Sequence, residues 1–248
     1  MRYATLLLSR VLLAGAMLAM ASLSQVRADL VAGWDFQTTT NGGTAVAASP
    51  NTPKQITANF GSGSLFLNGQ NGSSDWFVPA TGTTNTELNA FTGTIENTAG
   101  TGFSTTTSGA AALALVNLTA NGKSAVFRFS MAGFQDLVVS YATQRTATGF
   151  NAHAWAFSTD GLTWTDHQSV VPPPAPFGVL TLNNITGLNG ATDAYLRLTV
   201  SGATNASGNN RFDNIQFNAT AVPEPTSMML LGCAAVGGWG VRRLRRKR

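Results

Sequence analysis

The sequence predicts an all-β protein, an antiparallel β-sandwich flanked by an N-terminal signal peptide and a short C-terminal transmembrane helix. Three observations lead there. Between Asp29 and Ala221, short runs rich in β-branched and aromatic residues alternate with Gly, Asn, Ser, Thr and Pro stretches, with no amphipathic helix among them. Several runs alternate apolar and polar residues one by one, the period of a half-buried strand. Charge is concentrated at the ends, where nine of the fifteen basic residues lie in the first 28 or last seven positions.

Residues 1–28 start with Arg2 and Arg10, continue through the uncharged apolar run Val11–Ala21 and finish on Val26-Arg27-Ala28. That is the order of a secretory signal, so cleavage is expected before Asp29. Residues 29–220 then form one sandwich domain, with strands expected at Leu30–Phe36, Ser64–Leu67, Leu113–Leu118, Ser124–Ser130, Leu137–Ala142, Ala152–Ser158, Thr163–His167, Val179–Leu182, Ala194–Val200 and Phe212–Asn218. Trp34 with Phe36, Phe127 with Phe129 and Met131, Leu137 with Val139 and Tyr141, and Leu196 with Leu198 and Val200 each share one face and read as core. The segment Gln37–Gly109 is less regular and reads as long loops or a flexible first half. Asp160-Gly161 is a hairpin turn, because Asp bonds its own turn backbone and Gly accepts positive φ. Pro172-Pro173-Pro174 cannot occupy a central strand and marks an exposed connection.

Residues 221–248 combine Pro223-Glu224-Pro225, the uncharged run Thr226–Val241 and a basic tail from Arg242 to Arg248. Sixteen residues of helix reach about 24 Å, short of the ~30 Å hydrocarbon core, so the helix reads as a weak anchor. The arginines after it place that end on the cytoplasmic side and the bulk of the chain outside. This three-part order resembles the PEP-CTERM sorting signal of Gram-negative bacteria. The resemblance implies that Pro223, Glu224 and Pro225 are recognised by an exosortase, a membrane transpeptidase that removes the anchor. It also implies an inner-membrane-anchored precursor and then a protein of the cell envelope or extracellular matrix, associated with exopolysaccharide or biofilm.

Composition excludes other classes. The segment 29–221 holds six bases against ten acids, a net charge of −4, which argues against a nucleic-acid partner. Cys233 is the only cysteine, so the chain has no intramolecular disulfide, and its place in the apolar run reads as a small buried residue. No nucleophile elbow, HExxH helix, P-loop or dinucleotide fingerprint appears, and no catalytic residue is assigned. Glu87, Glu96, Asp136, Asp160, Asp166 and Asp193 do not single out the carboxylate pair that glycoside hydrolysis requires. A glycoside hydrolase or lyase therefore stands third, behind a non-enzymatic surface protein and a carbohydrate-binding module. His153 and His167 fall in the two arms of one hairpin and read as solvated strand residues, a poor metal site by themselves.

The stretch Tyr141–Phe150, the Ser158–Trp164 hairpin, Tyr195-Leu196-Arg197 and Arg211–Ile215 together resemble a recurrent exported sandwich module, similar in outline to jelly-roll carbohydrate-binding domains. Asp213 shares parity with Ile215 and Phe217 and is expected to point inward, where a carboxylate must be paired, capped by backbone or bound to a cation. Modules of the resembling kind often hold a structural calcium, which makes Asp213 a candidate calcium ligand, with pairing to an Arg or backbone capping as the alternative; no other cofactor is expected. Sugar-binding sandwiches stack pyranose rings on exposed aromatics. Core packing is the commoner fate of Trp in β proteins, and Trp76, in the loop sequence Ser73-Ser74-Asp75-Trp76, is the best candidate platform for a polysaccharide partner.

Overall fold

The computed structural model describes residues 28–80, 85–171 and 176–222. The signal-peptide segment up to Arg27, Pro172–Pro174, the Pro223–Pro225 motif, the apolar run with Cys233 and the basic tail lie outside the described residues. Among the described residues no helix is long and apolar enough to cross a membrane.

Thirteen strands are described: β1 (Ala28–Trp34), β2 (Gln55–Thr57), β3 (Phe60–Gly61), β4 (Gly63–Phe66), β5 (Leu88–Phe91), β6 (Ala112–Val116), β7 (Ser124–Phe129), β8 (Phe134–Arg145), β9 (Ala152–Ser158), β10 (Thr165–Val170), β11 (Gly178–Thr181), β12 (Ala194–Ser201) and β13 (Asn209–Ala221). They form two antiparallel sheets. The seven-stranded sheet runs β11-β8-β13-β1-β3, with β6 also on β13 and β5 on β6. The six-stranded sheet runs β10-β9-β12-β7-β4-β2. Ala28–Thr220 forms one compact unit, an all-β sandwich as the alternation requires.

Every strand expected from alternation has a counterpart. The structure adds β2, β3 and β5 inside the stretch read as irregular. These strands are two to four residues long, too short to show a period of their own. Aromatic rings tie the sheets together: Trp34 of β1 meets Phe127 of β7 edge-on at 5.0 Å and Phe217 of β13 at 5.2 Å. Phe217 also meets Phe129 at 4.8 Å. Such pairs contribute beyond the area they bury.

The hairpin at Asp160-Gly161 forms as expected. The Asp160 carboxylate accepts the amides of Leu162 and Thr163, each at 2.8 Å, and these bonds pull its pKa down to about 2.

The histidines depart from their reading as two solvated strand residues. The β9–β10 pair sets Val170, not His167, opposite His153, with an irregularity between Asp166 and Gln168. His167 lies at the surface with Nε2 2.9 Å from the Asn183 carbonyl, whereas His153 is fully buried. Around His153, Trp155 Nε1 donates to Tyr141 Oη at 3.3 Å, and Tyr141 Oη lies 3.1 Å from His153 Nδ1. Asn210 Nδ2 donates to the Phe150 carbonyl at 2.8 Å and lies 2.9 Å from His153 Nε2. The Phe150 carbonyl fixes the amide orientation, so Nε2 accepts and the proton sits on Nδ1, facing Tyr141. Burial pushes the His153 pKa down to about 3 and raises that of the Tyr141 hydroxyl.

Candidate functional site

The first site lies on the side of the seven-stranded sheet away from the aromatic core. Phe212, Ile215 and Phe217 all join that core, although odd spacing from Phe212 to Ile215 places them on opposite faces of a regular strand. Asn214 resolves the conflict: its φ of +48° breaks the alternation. Asp213 therefore does not share the core face with Ile215 and Phe217, as its parity had suggested. It is buried against the segment after β5, where its Oδ2 accepts the Thr94 amide at 2.8 Å and its Oδ1 accepts the Asn214 amide at 2.9 Å.

That segment is fastened down through amide side chains. Asn214 Nδ2 donates to the carbonyls of Thr94 and Glu96, both at 2.9 Å, and Asn97 Nδ2 donates to the Asn214 carbonyl at 2.7 Å. Gln216 Nε2 donates to the Asn97 carbonyl. Further along, Phe103 packs so closely on β1 that a Cβ on Gly33 would stand 2.6 Å from its ring. Asp35, also buried, accepts the amides of Gln37 at 3.0 Å, Thr38 at 2.8 Å and Ser104 at 2.9 Å. Asp35 is close enough to Asp213 to act on it: burial first, and the Asp35 charge with it, push the Asp213 pKa up to about 8 against the two backbone bonds.

One feature fits a cation here: Asn214 Oδ1 is buried without a hydrogen-bond partner. Gly93 lets the main chain pass close against the Asp213 carboxylate, since a Cβ there would lie 2.3 Å from Oδ2. Calcium takes six to eight oxygens, carboxylates, amide carbonyls and backbone carbonyls among them. Asp213, Asn214 and Asp35 supply that chemistry. Among the described residues no group of three or more His, Cys, Asp and Glu side chains gathers as a metal cage, so amide and main-chain oxygens would have to complete the shell. Sequence reasoning found Asp213 but missed Asp35 and Asn214. Asp35 follows Trp34 on the opposite parity, a signal that was present, while the Asn214 break had none.

The second site is an open groove of about 590 Å³ over β2, β4 and β7. Hydroxyls and amides from Gln55, Ser64, Ser130 and Thr192 line it, together with Arg128 and Asp193. Arg128 Nε and Nη2 both donate to Asp193 Oδ1, at 3.0 and 2.6 Å. The two side chains are 47% and 49% exposed.

Trp76, the candidate sugar platform, is not in either site. It is 0% exposed, its Nε1 donating to the Ser124 carbonyl at 3.0 Å and its amide to the Leu67 carbonyl at 3.0 Å. The reading fails because the chain on both sides of Trp76 folds back over the sandwich, which a composition typical of loops conceals. Trp76→Ala is expected to destabilise the domain by about 3–5 kcal/mol, as large aromatic deletions do. Urea denaturation reads this directly, and an unchanged midpoint would contradict the burial. Trp164 is the half-buried tryptophan instead, with the Arg197 guanidinium 4.3 Å from its ring centroid.

Beyond the last strand the comparisons with known proteins become decisive. The chain carries a PEP-CTERM protein-sorting motif, which spans residues 221–246. That signal marks an exported protein. No curated protein matches the chain. Among solved structures it is similar to TmCBM61 in complex with beta-1,4-galactotriose, at 14% identity and TM-score 0.35, over 60% of this chain and 94% of that one. It is similar to the carbohydrate-binding module CBM36 in complex with calcium and xylotriose, at 14% identity and TM-score 0.33, over 58% and 93%. It is also similar to the K3 cleaved adhesin domain of Lys-gingipain from Porphyromonas gingivalis, at 10% identity and TM-score 0.32, over 47% and 78%.

Proposed function

We propose that this PEP-CTERM protein is a non-enzymatic component of the cell surface or extracellular matrix, released from a membrane-anchored precursor by an exosortase and associated with extracellular polysaccharide. The sorting motif at 221–246, directly following a β-sandwich, carries the reading. In the native host, the mature protein is expected in the envelope or matrix without its C-terminal peptide. Glu224→Ala is expected to leave that peptide attached and the protein in the inner membrane. Full-length Met1–Arg248 protein in the cytosol would overturn the reading.

Two features support a non-catalytic body. The groove offers one carboxylate, Asp193, already bonded to Arg128, whereas glycoside hydrolysis asks for two acting together. Asp35 and Asp213 are both buried beneath polypeptide rather than facing a cleft.

A second reading, carbohydrate binding, is favoured by the groove itself. Its Arg–Asp pair, with hydroxyls and amides beside it, presents donors and acceptors in the arrangement that sugar hydroxyls accept. An exposed ion pair adds at most about 1 kcal/mol to stability, so its removal leaves the fold intact. Arg128→Ala and Asp193→Ala are therefore expected to weaken glycan binding about tenfold or more with little change in melting temperature. A glycan array followed by calorimetry on its hits measures this, and unchanged affinities would remove the groove from consideration.

We further propose calcium at Asp213, Asn214 and Asp35. A bound ion would supply the positive charge that lets Asp213 remain ionised when buried. The chain's own residues do the rest: Thr94 and Asn214 amides orient the Asp213 carboxylate, and the Asn214 side chain ties the covering segment to β13.

A further inference from the structure

The sorting motif begins at residue 221, which is also the last residue of β13. Only Val222 separates that strand from Pro223. β13 is an interior strand, with β8 on one side and β6 and then β1 on the other. Any enzyme that works at the motif thus meets a main chain still committed to a sheet immediately upstream.

The β1–β13 ladder has two unequal parts. A register irregularity at Val31, between Leu30 and Ala32, divides them. On the inner side, Ala32, Gly33 and Trp34 pair with Phe217, Gln216 and Ile215. Phe217 is fully buried there and packed on Trp34, Phe127 and Phe129. On the outer side, Asp29 and Leu30 pair with Ala219 and Asn218, and Ala28, which the expected signal cleavage removes, pairs with Thr220. These side chains are short or polar apart from Leu30; Asp29 and Ala221 are exposed, while Ala219 is buried. Ladders of this kind open locally, while pairs held by buried aromatics open only with the whole domain.

A transpeptidase or protease takes its substrate as extended, unpaired main chain around the bond it attacks, and susceptibility follows the burial and hydrogen bonding of that chain. Residues 218–220 are paired into the sheet and do not meet this condition while they remain so. We infer that processing is limited by peeling of residues 218–220 from the sheet, and that the irregularity at Val31 sets where the peeling stops along β1. This rests on the exosortase-substrate reading and extends it from what is recognised to what governs access.

The test is a pulse-chase of the full chain in its host, following loss of an epitope placed after Arg248. Gly-Ser insertions of about two, five and ten residues between Val222 and Pro223 supply free upstream chain without touching the domain. Processing is expected to accelerate about tenfold and then plateau, the scale set by a few ladder hydrogen bonds. Amide hydrogen exchange on the wild-type protein provides an independent reading, with 218–220 exchanging faster than 215–217. A rate indifferent to the insertions, or equal protection on both sides of Val31, would overturn the inference. Glu224→Ala separates the two levels. If it blocks processing while the insertions do nothing, only the peeling inference fails; if processing survives it, the exosortase reading falls as well.

Discussion

Calcium added to the metal-free domain at pH 7.5 is expected to raise its melting temperature, and Asp213→Asn is expected to abolish the rise. Metal-free, burial beside Asp35 holds the Asp213 pKa near 8 against an ordinary value of 3.8. The folded state then keeps a proton that the unfolded state loses, so this group's contribution is fully present below pH 3.8 and is lost as pH rises to about 8. The loss is of order 5 kcal/mol, at 1.36 kcal/mol per pKa unit. A cation at Asp213 and Asn214 replaces that proton and reverses the deficit. At a calcium concentration about a hundred times the dissociation constant, binding adds about 2.7 kcal/mol, or roughly 5–10 °C in a domain of this size. Calorimetry with EDTA and then calcium checks this. A melting temperature indifferent to both, in wild type as in Asp213→Asn, would remove the ion.

Acid should destabilise the domain through His153. Its pKa in the fold is about 3, against 6.5 when free, because the Trp155–Tyr141–His153–Asn210 chain holds a neutral imidazole away from water. The unfolded state therefore binds the additional proton between these values. Stability from this group is fully present above pH 6.5 and is lost as pH falls toward about 3. About 2 kcal/mol disappears between pH 6.5 and 5, and of order 5 kcal/mol over the whole window. Urea denaturation at pH 7, 6 and 5 of wild type and His153→Gln isolates the contribution, since Gln retains a polar partner and does not titrate. The variant is expected to lack this slope; identical slopes would place the acid sensitivity elsewhere. The two groups titrate in opposite directions, so the His153 comparison is made with calcium held constant.

Legibility in the sequence followed the range of the interaction. The faces of Phe127–Met131, Leu137–Tyr141 and Leu196–Val200 were readable because each strand's alternation repeats over enough residues to declare a side. β2, β3 and β5 were not, since strands so short are created by their neighbours rather than by a pattern of their own. Asp213 was singled out correctly as a buried carboxylate but assigned to the wrong face, because one residue at positive φ reverses parity without altering composition. Trp76 was misplaced for a related reason: Asp75 beside it faces solvent, while the indole itself turns inward.

By itself the sequence determined the all-strand body, its mildly acidic charge and the sorting motif, since these depend on composition, period and contiguous order. Only the tertiary structure decided that Asp213 is buried under the segment after β5, that His153 sits in a dry polar chain, that Arg128 and Asp193 share a groove and that the strand running into the motif is paired with β1. Each of these joins residues far apart in the chain, and their meeting is set by sheet register, which a single φ at Asn214 or a slip at Val31 can shift.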